Sequence, residues 1–327
     1  MPSPHQPGTR TTAAARLLPT LAAALALAGP ALAGAPMVKT QAPGYYRMML
    51  GEFEVTALSD GTVALPMDQW LTGTTPKHVT QALALQDLKP PVETSVNAYL
   101  VNTGAKLVLI DTGAAGLFGP TLGRLVANLK AAGYQPEQVD EVCITHMHPD
   151  HIGGLADGDR PVFPNAVVRA DKHEAGLWLS QAHMDKAPKE AKRFFQGAMA
   201  SLKPYVAAGK FVPFDGDTEL VPGVQAQASR GHTPGHSIYM VQSKGQKLAL
   251  WGDLMHVAAV QFAEPAVTFQ SDKDPKAAAA QRQKAYAEAA RQGYWVAAAH
   301  LSFPGIGHVH AQGRGYRWVP ANYVSAP

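Results

Sequence analysis

The chain has 327 residues, 28 Lys and Arg against 25 Asp and Glu, and a formal charge of +3. Arg10 and Arg16 stand in a leader with no acidic residue before position 34, so without that leader the charge is +3 less two, or +1. So small an excess excludes binding driven by nucleic-acid phosphates or an anionic membrane surface, and a single cysteine, Cys143, excludes an internal disulfide.

Arg10 and Arg16 precede an apolar run from Leu17 to Ala28, and Ala31-Leu32-Ala33 offers small residues for cleavage. Residues 1–33 therefore read as a secretory signal, removed on export to the periplasm or the medium. The run is short and interrupted by Pro19, Gly29 and Pro30, so no stable membrane association is expected after processing. Residues 34–327 suit a single α/β domain.

Val96 to Val101 and Lys106 to Ile110 read as a hairpin around Asn102-Thr103-Gly104, running into Asp111-Thr112-Gly113. Pro120 opens a helical stretch with Leu122, Leu125, Val126 and Leu129 at three- and four-residue spacing, closed by Gly133. Gln138 to Ile144 reads as a β-strand that carries Cys143 as a buried thiol. Lys189 to Ala208 predicts another helix, with Phe194, Phe195, Met199 and Leu202 on its apolar side. Ser237 to Val241 and Lys247 to Trp251 form a second hairpin, ending at Gly252-Asp253. A helix over Lys276 to Arg291 then leads to a strand, Tyr294 to Ala299, that ends at His300. Two half-domains of this kind imply two sheets packed face to face with helices outside.

Between the strand at 138–144 and the turn Gly153-Gly154 lies Thr145-His146-Met147-His148-Pro149-Asp150-His151. Neutral imidazole plus carboxylate is the ligand set that zinc prefers, and the end of a strand is where open α/β sheets place their sites. One cluster does not complete two metal sites, but three further candidates stand near other strand ends: His232, Asp253 and His300. They divide as His146, His148 and His232 on one ion and Asp150, His151 and His300 on the other, with Asp253 bridging. Two divalent ions would lower the pKa of a shared water and polarise a carbonyl or phosphoryl oxygen. Asp253 and Asp150 are the candidate catalytic carboxylates, Asp253 as acceptor of the water's remaining proton. Asp111 and Thr233 are expected to orient ligands by hydrogen bonding, whereas His308 and His310 read as surface or structural. Zinc is the favoured metal, with Mn, Co or Fe possible in the second site. A non-catalytic periplasmic metal-binding protein is the rival class; seven ligands for two ions leave positions for water and substrate, as catalytic sites require.

The Thr-His-x-His-x-Asp-His cluster, Asp111-Thr112-Gly113, Gly231-His232-Thr233-Pro234-Gly235-His236, Gly252-Asp253 and the late His300 resemble, in order, the motif series of the metallo-β-lactamase fold hydrolases. Ala42 to Met48, Asp111 to Pro120 and His300 to His308 are similar to the methyl parathion hydrolases, secreted dinuclear enzymes. The resemblance implies an αβ/βα sandwich of two mixed sheets, a homodimer, a non-ligand role for His236, and a substrate pocket lined by Phe118, Trp178 and Phe194. Trp70, His256, Phe269 and Ser271 depart from that pattern, and the segment around Glu190-Ala191 is one residue shorter. The departures narrow the cavity, so aryl lactones and aryl esters are the expected substrates and methyl parathion a weaker, promiscuous one. A dedicated organophosphate hydrolase is the alternative. A zinc-ligand cysteine of the β-lactamase kind is absent, because Cys143 precedes the cluster, and the aromatic segment Gly315 to Val319 is unlike the basic helical end of glyoxalase-type thioesterases.

Overall fold

The computed structural model describes residues 34–325 and Gly8, so the signal segment expected over 1–33 lies outside the described residues. Residues 41–325 belong to one compact unit. No helix among the described residues is long and apolar enough to cross a membrane.

Strands β1 (Tyr45–Leu50), β2 (Phe53–Leu65), β3 (Val92–Asn102), β4 (Leu107–Ile110), β5 (Glu141–Cys143) and β6 (Val167–Arg169) form a six-stranded sheet in chain order. Its first three pairings are antiparallel and its last two parallel. A seven-stranded sheet follows, again in chain order: β7 (Thr218–Val221), β8 (Val224–Ala228), β9 (Ser237–Ser243), β10 (Gln246–Leu250), β11 (Trp295–Ala297), β12 (Ile306–Gln312) and β13 (Gly315–Pro320). Only β10 and β11 pair in parallel. Both sheets are mixed, as expected.

Side-chain alternation assigns the layers. Val101, Val108 and Cys143 face inward and meet Val224, Tyr239, Val241 and Leu248 of the second sheet. Their neighbours Leu100, Leu109 and Val142 face outward, against Leu125 and Leu129 of α2 (Leu125–Ala131) and Phe195 and Leu202 of α5 (Lys189–Ala207). Trp251 and Val296 cover the other outer face with Tyr286 and Ala289 of α6 (Pro275–Gln292). Helix α1 (Pro76–Ala84) places Val79 and Leu83 in a smaller core with Met67, Leu71, Val260 and Phe269. Strands buried on both faces explain unbroken apolar runs such as Leu107–Ile110. Burial also raises the Cys143 thiol far above its ordinary range, in keeping with a structural role.

Several boundaries differ from the sequence reading. The helix expected from Pro120 begins at Leu125, because the buried Asp60 carboxylate accepts the N–H groups of Ala114, Gly123 and Leu125 at 2.9, 3.0 and 3.0 Å. Those bonds hold residues 114–124 in an irregular turn that includes Gly119 and Gly123 at positive φ. Pro136–Gln138 forms a single 3₁₀ turn, so the strand expected from Gln138 starts at Glu141. The strand expected over Tyr294 to Ala299 shortens to Trp295–Ala297.

Parallel pairing positions the site. It sets Asp111, after β4, beside the segment that follows β5, and sets Asp253, after β10, beside His300, after β11. The sheets are stitched together here: Tyr239 donates its hydroxyl to the Ile144 carbonyl at 2.7 Å, and the Ser237 N–H reaches the Thr145 carbonyl at 2.9 Å.

Candidate metal centre

The short helix α3 (Pro149–Ile152) turns directly out of the loop after β5, which puts His146 and His148 before it and Asp150 and His151 within it. Gly154 packs this loop onto the loop after β4: a Cβ there would stand 2.0 Å from the Thr112 carbonyl oxygen. His232 arrives from the β8–β9 connection. All seven predicted ligands are buried.

The seven side chains form two groups sharing one edge. Ligand atoms of His146, His148, His232 and Asp253 lie within 4.8 Å of one another, as do those of Asp150, His151 and His300. Asp253 offers one oxygen to each group. Its Oδ2 stands 3.6 Å from His146 Nε2 and 3.4 Å from His232 Nε2, and its Oδ1 stands 3.1 Å from His151 Nε2 and 3.0 Å from His300 Nε2. Asp150 Oδ2 is 3.6 and 3.5 Å from those last two nitrogens. Donors about 2.1 Å from a tetrahedral ion stand about 3.4 Å apart, so these spacings fit divalent ions.

Hydrogen bonds on the outer nitrogens orient three of the rings. His151 Nδ1 meets Asp111 at 2.8 Å, His232 Nδ1 meets Asp272 at 2.7 Å, and His300 Nδ1 meets the Ser95 carbonyl at 2.9 Å. Each contact fixes the ring and aims Nε2 inward. His146 Nε2, His151 Nε2 and Asp253 Oδ1 are buried with no hydrogen-bond partner, a costly state that a cation relieves. His236 differs: its Nδ1 lies 3.1 Å from the Ser229 carbonyl and its Nε2 accepts the Asp253 N–H at 3.0 Å. Both nitrogens are engaged, so His236 positions Asp253 and is no ligand.

Burial, reinforced by neighbouring imidazoles, holds His146 and His148 well below the usual histidine range and therefore neutral, as coordination requires. Burial would also lower His151 and His300, but Asp253 and Asp150 outweigh it and raise both. The Asp253 carboxyl, which burial alone would raise, is held well below the carboxylate range by His151, His300 and His146.

Asp111 occupies the expected orienting position at φ +61°, left-handed backbone that is strained for a residue other than glycine. Its carboxylate also accepts the Thr145 N–H and hydroxyl, both at 2.8 Å. Thr233 makes no hydrogen bond to a ligand ring among the described residues; its carbonyl accepts the Gly231 N–H at 3.1 Å, and Asp272 holds His232 instead. Asp272 was missed by the sequence reading, since nothing marks a carboxylate 40 residues from its histidine. Asp272→Ala is expected to weaken metal binding by about 10–100-fold, read by chelator competition. Unchanged affinity would remove Asp272 from the site.

A cavity of about 140 Å³ opens over the cluster, bordered by Asp150, Asp253, His148 and His300. Trp70, Phe118, Phe194, His256, Phe269 and Ser271 line it, together with Leu65, Met67, Thr94 and Arg193, which the sequence reading did not include. Trp178 is corrected: only 2% exposed, it packs edge-on behind His148 at 5.4 Å and against Phe195 at 4.8 Å. The His256 ring stacks on Phe269 at 3.9 Å and 11°, and Trp70 meets Phe269 edge-on at 5.9 Å.

A model described as the metallo-beta-lactamase superfamily matches residues 91–291, which contain six of the seven ligand positions. The chain belongs to the metallo-beta-lactamase superfamily. Among superfamily members it is similar to the N-acyl homoserine lactonase AiiA of Bacillus thuringiensis subsp. kurstaki, 28% identical over 167 residues, 45% of this chain and 58% of that relative. The match thus spans little more than half the length of the curated lactonase. Among solved structures, hydrolase AbOPH of the beta lactamase superfamily superposes with a TM-score of 0.83 at 38% identity, covering 88% of this chain and 100% of that one. AidC, a dizinc quorum-quenching lactonase crystallised with a product, gives a TM-score of 0.80 at 26% identity over 86% of this chain and 99% of AidC. Within this superfamily the chain is related to N-acyl homoserine lactonases, and it carries His and Asp groups that could hold metal ions.

Proposed function

We propose that this protein hydrolyses lactones and aryl esters at a dinuclear metal centre, with phosphotriester turnover as a weaker side activity. The observation that carries this reading is the wall made by His256, Phe269 and Trp70 over a cavity of about 140 Å³. A planar ring packs against such flat faces, whereas a tetrahedral phosphotriester needs room in every direction. AiiA and AidC are lactonases, which supports lactone chemistry on this scaffold, and the aromatic wall favours its aryl form.

Divalent ions, when bound, supply a lowered water pKa and Lewis acidity. His146, His148 and His232 would hold one, Asp150, His151 and His300 the other, with Asp253 shared. Asp253 is the proton acceptor and Asp150 the second carboxylate at the reacting atoms; both border the cavity. Apolar walls exclude water and strengthen each of these interactions. An aryl or enol leaving group has a low pKa and needs little help from a general acid.

Catalytic efficiency on dihydrocoumarin or a naphthyl ester is expected to exceed that on methyl parathion by about tenfold or more. His256→Leu, which removes the stacked polar ring, is expected to narrow that ratio. A wild-type preference for methyl parathion overturns the proposal in favour of a dedicated organophosphate hydrolase, the reading supported by Asp111 to Pro120 and His300 to His308. The proposal includes zinc as the metal, with Mn, Co or Fe as alternatives in the second site, as well as export and a homodimer. Metal analysis, N-terminal sequencing of the exported protein and light scattering test these.

A further inference from the structure

Glu174 belongs to none of the ligand motifs, yet its side chain joins two of them. It sits on α4 (Lys172–Trp178) and is 0% exposed. Its Oε2 accepts the N–H of Met147 at 2.9 Å, and its Oε1 accepts the N–H of Gly235 at 2.7 Å. Met147 lies between His146 and His148, and Gly235 lies between His232 and His236. One segment follows the first sheet's β5, whereas the other precedes the second sheet's β9. The approach is close enough to demand glycine: a Cβ at Gly235 would stand 2.7 Å from the Glu174 backbone nitrogen and 2.9 Å from its Cγ. On the far side of this clamp, His148 Nδ1 and His232 Nε2 face each other at 3.1 Å.

The geometry points to Glu174 as a positioning residue for the first metal site, setting the spacing between the His146/His148 pair and His232 by fixing both of their backbones. This rests on the reading of those histidines as ligands. Two N–H bonds to a buried carboxylate are charge-assisted, stronger and shorter than neutral ones. Glutamine keeps the shape but turns an NH₂ group toward one of the N–H donors, so one bond is lost and one donor is left unpaired. The second group, Asp150, His151 and His300, is oriented by Asp111 and Ser95 and does not depend on Glu174.

The test is Glu174→Gln in the full-length protein, loaded with zinc or with cobalt. Affinity for one of the two ions is expected to fall about 10–100-fold, with the other unchanged, and the visible cobalt spectrum to lose its first-site bands. A core variant, Leu50→Ala, supplies the control for general destabilisation: it should lower Tm and leave both affinities alone. If Glu174→Gln does not accumulate in soluble form, Glu174→Asp, still anionic but one methylene short of reaching both donors, is measured in the same way. Two unchanged affinities with only a lowered Tm would overturn the positioning role while leaving the dinuclear reading intact. A wild-type protein that holds no metal would overturn the dinuclear reading and this inference with it.

Discussion

Asp253→Asn lowers kcat by on the order of 10³-fold or more, equivalent to about 4 kcal/mol of barrier. Asp253 is the side chain that touches both ligand groups, with Oδ2 toward His146 and His232 and Oδ1 toward His151 and His300. An amide in its place would offer one neutral oxygen and an NH₂ that no cation accepts as a ligand, so the negative charge between the two groups and one of its two donor oxygens would be lost together. The change is nearly isosteric and His236 still accepts the backbone N–H of residue 253, so the fold should survive. The measurement is turnover of an aryl ester after reconstitution with zinc, beside metal content by elemental analysis. Near wild-type turnover in a fully loaded variant would rule out a bridging, proton-accepting role.

Asp60→Ala costs about 3 kcal/mol of stability. Three N–H groups, those of Ala114, Gly123 and Leu125, end on the Asp60 carboxylate, and a buried donor left without a partner costs about 1–3 kcal/mol. The full sum is not expected, because burial itself works against this carboxylate and raises its pKa, a penalty that alanine removes. Asp60→Asn retains one acceptor and should lose roughly half as much. Urea unfolding of the holoprotein checks both; a loss below about 1 kcal/mol for the alanine variant would show that water takes over the three donors.

The seven side chains that the structure gathers into two groups were legible because coordination chemistry admits few residue types and because the β pattern places them at strand ends. His146, His148, Asp150 and His151 needed only local spacing, whereas His232, Asp253 and His300 needed the second hairpin and the last α/β unit to be read as strands first. Asp60, Glu174 and Asp272 were not legible. Each acts by accepting N–H groups or orienting a ring from a distant part of the chain, and a carboxylate that does so looks like any other in sequence. Trp178 and Trp70 show the same limit among apolar residues. Both are tryptophans near the site, but the direction of the side chain decides that Trp70 lines the cavity and Trp178 supports His148 from behind.

The sequence by itself determined the chemistry and the architecture: the donor set and its division into two groups, and the apolar alternation that builds two face-to-face sheets. These are local properties, carried by residue type and by spacing along one chain segment. Tertiary structure alone decided which carboxylate orients which ring, where the helix after Gly113 begins, how β5 and β9 are held at the spacing of one metal site, and how wide the cavity is. Those properties arise between segments brought together by parallel strand pairing and sheet packing, where differences of a few tenths of an ångström separate a ligand from a neighbour and a pocket wall from core.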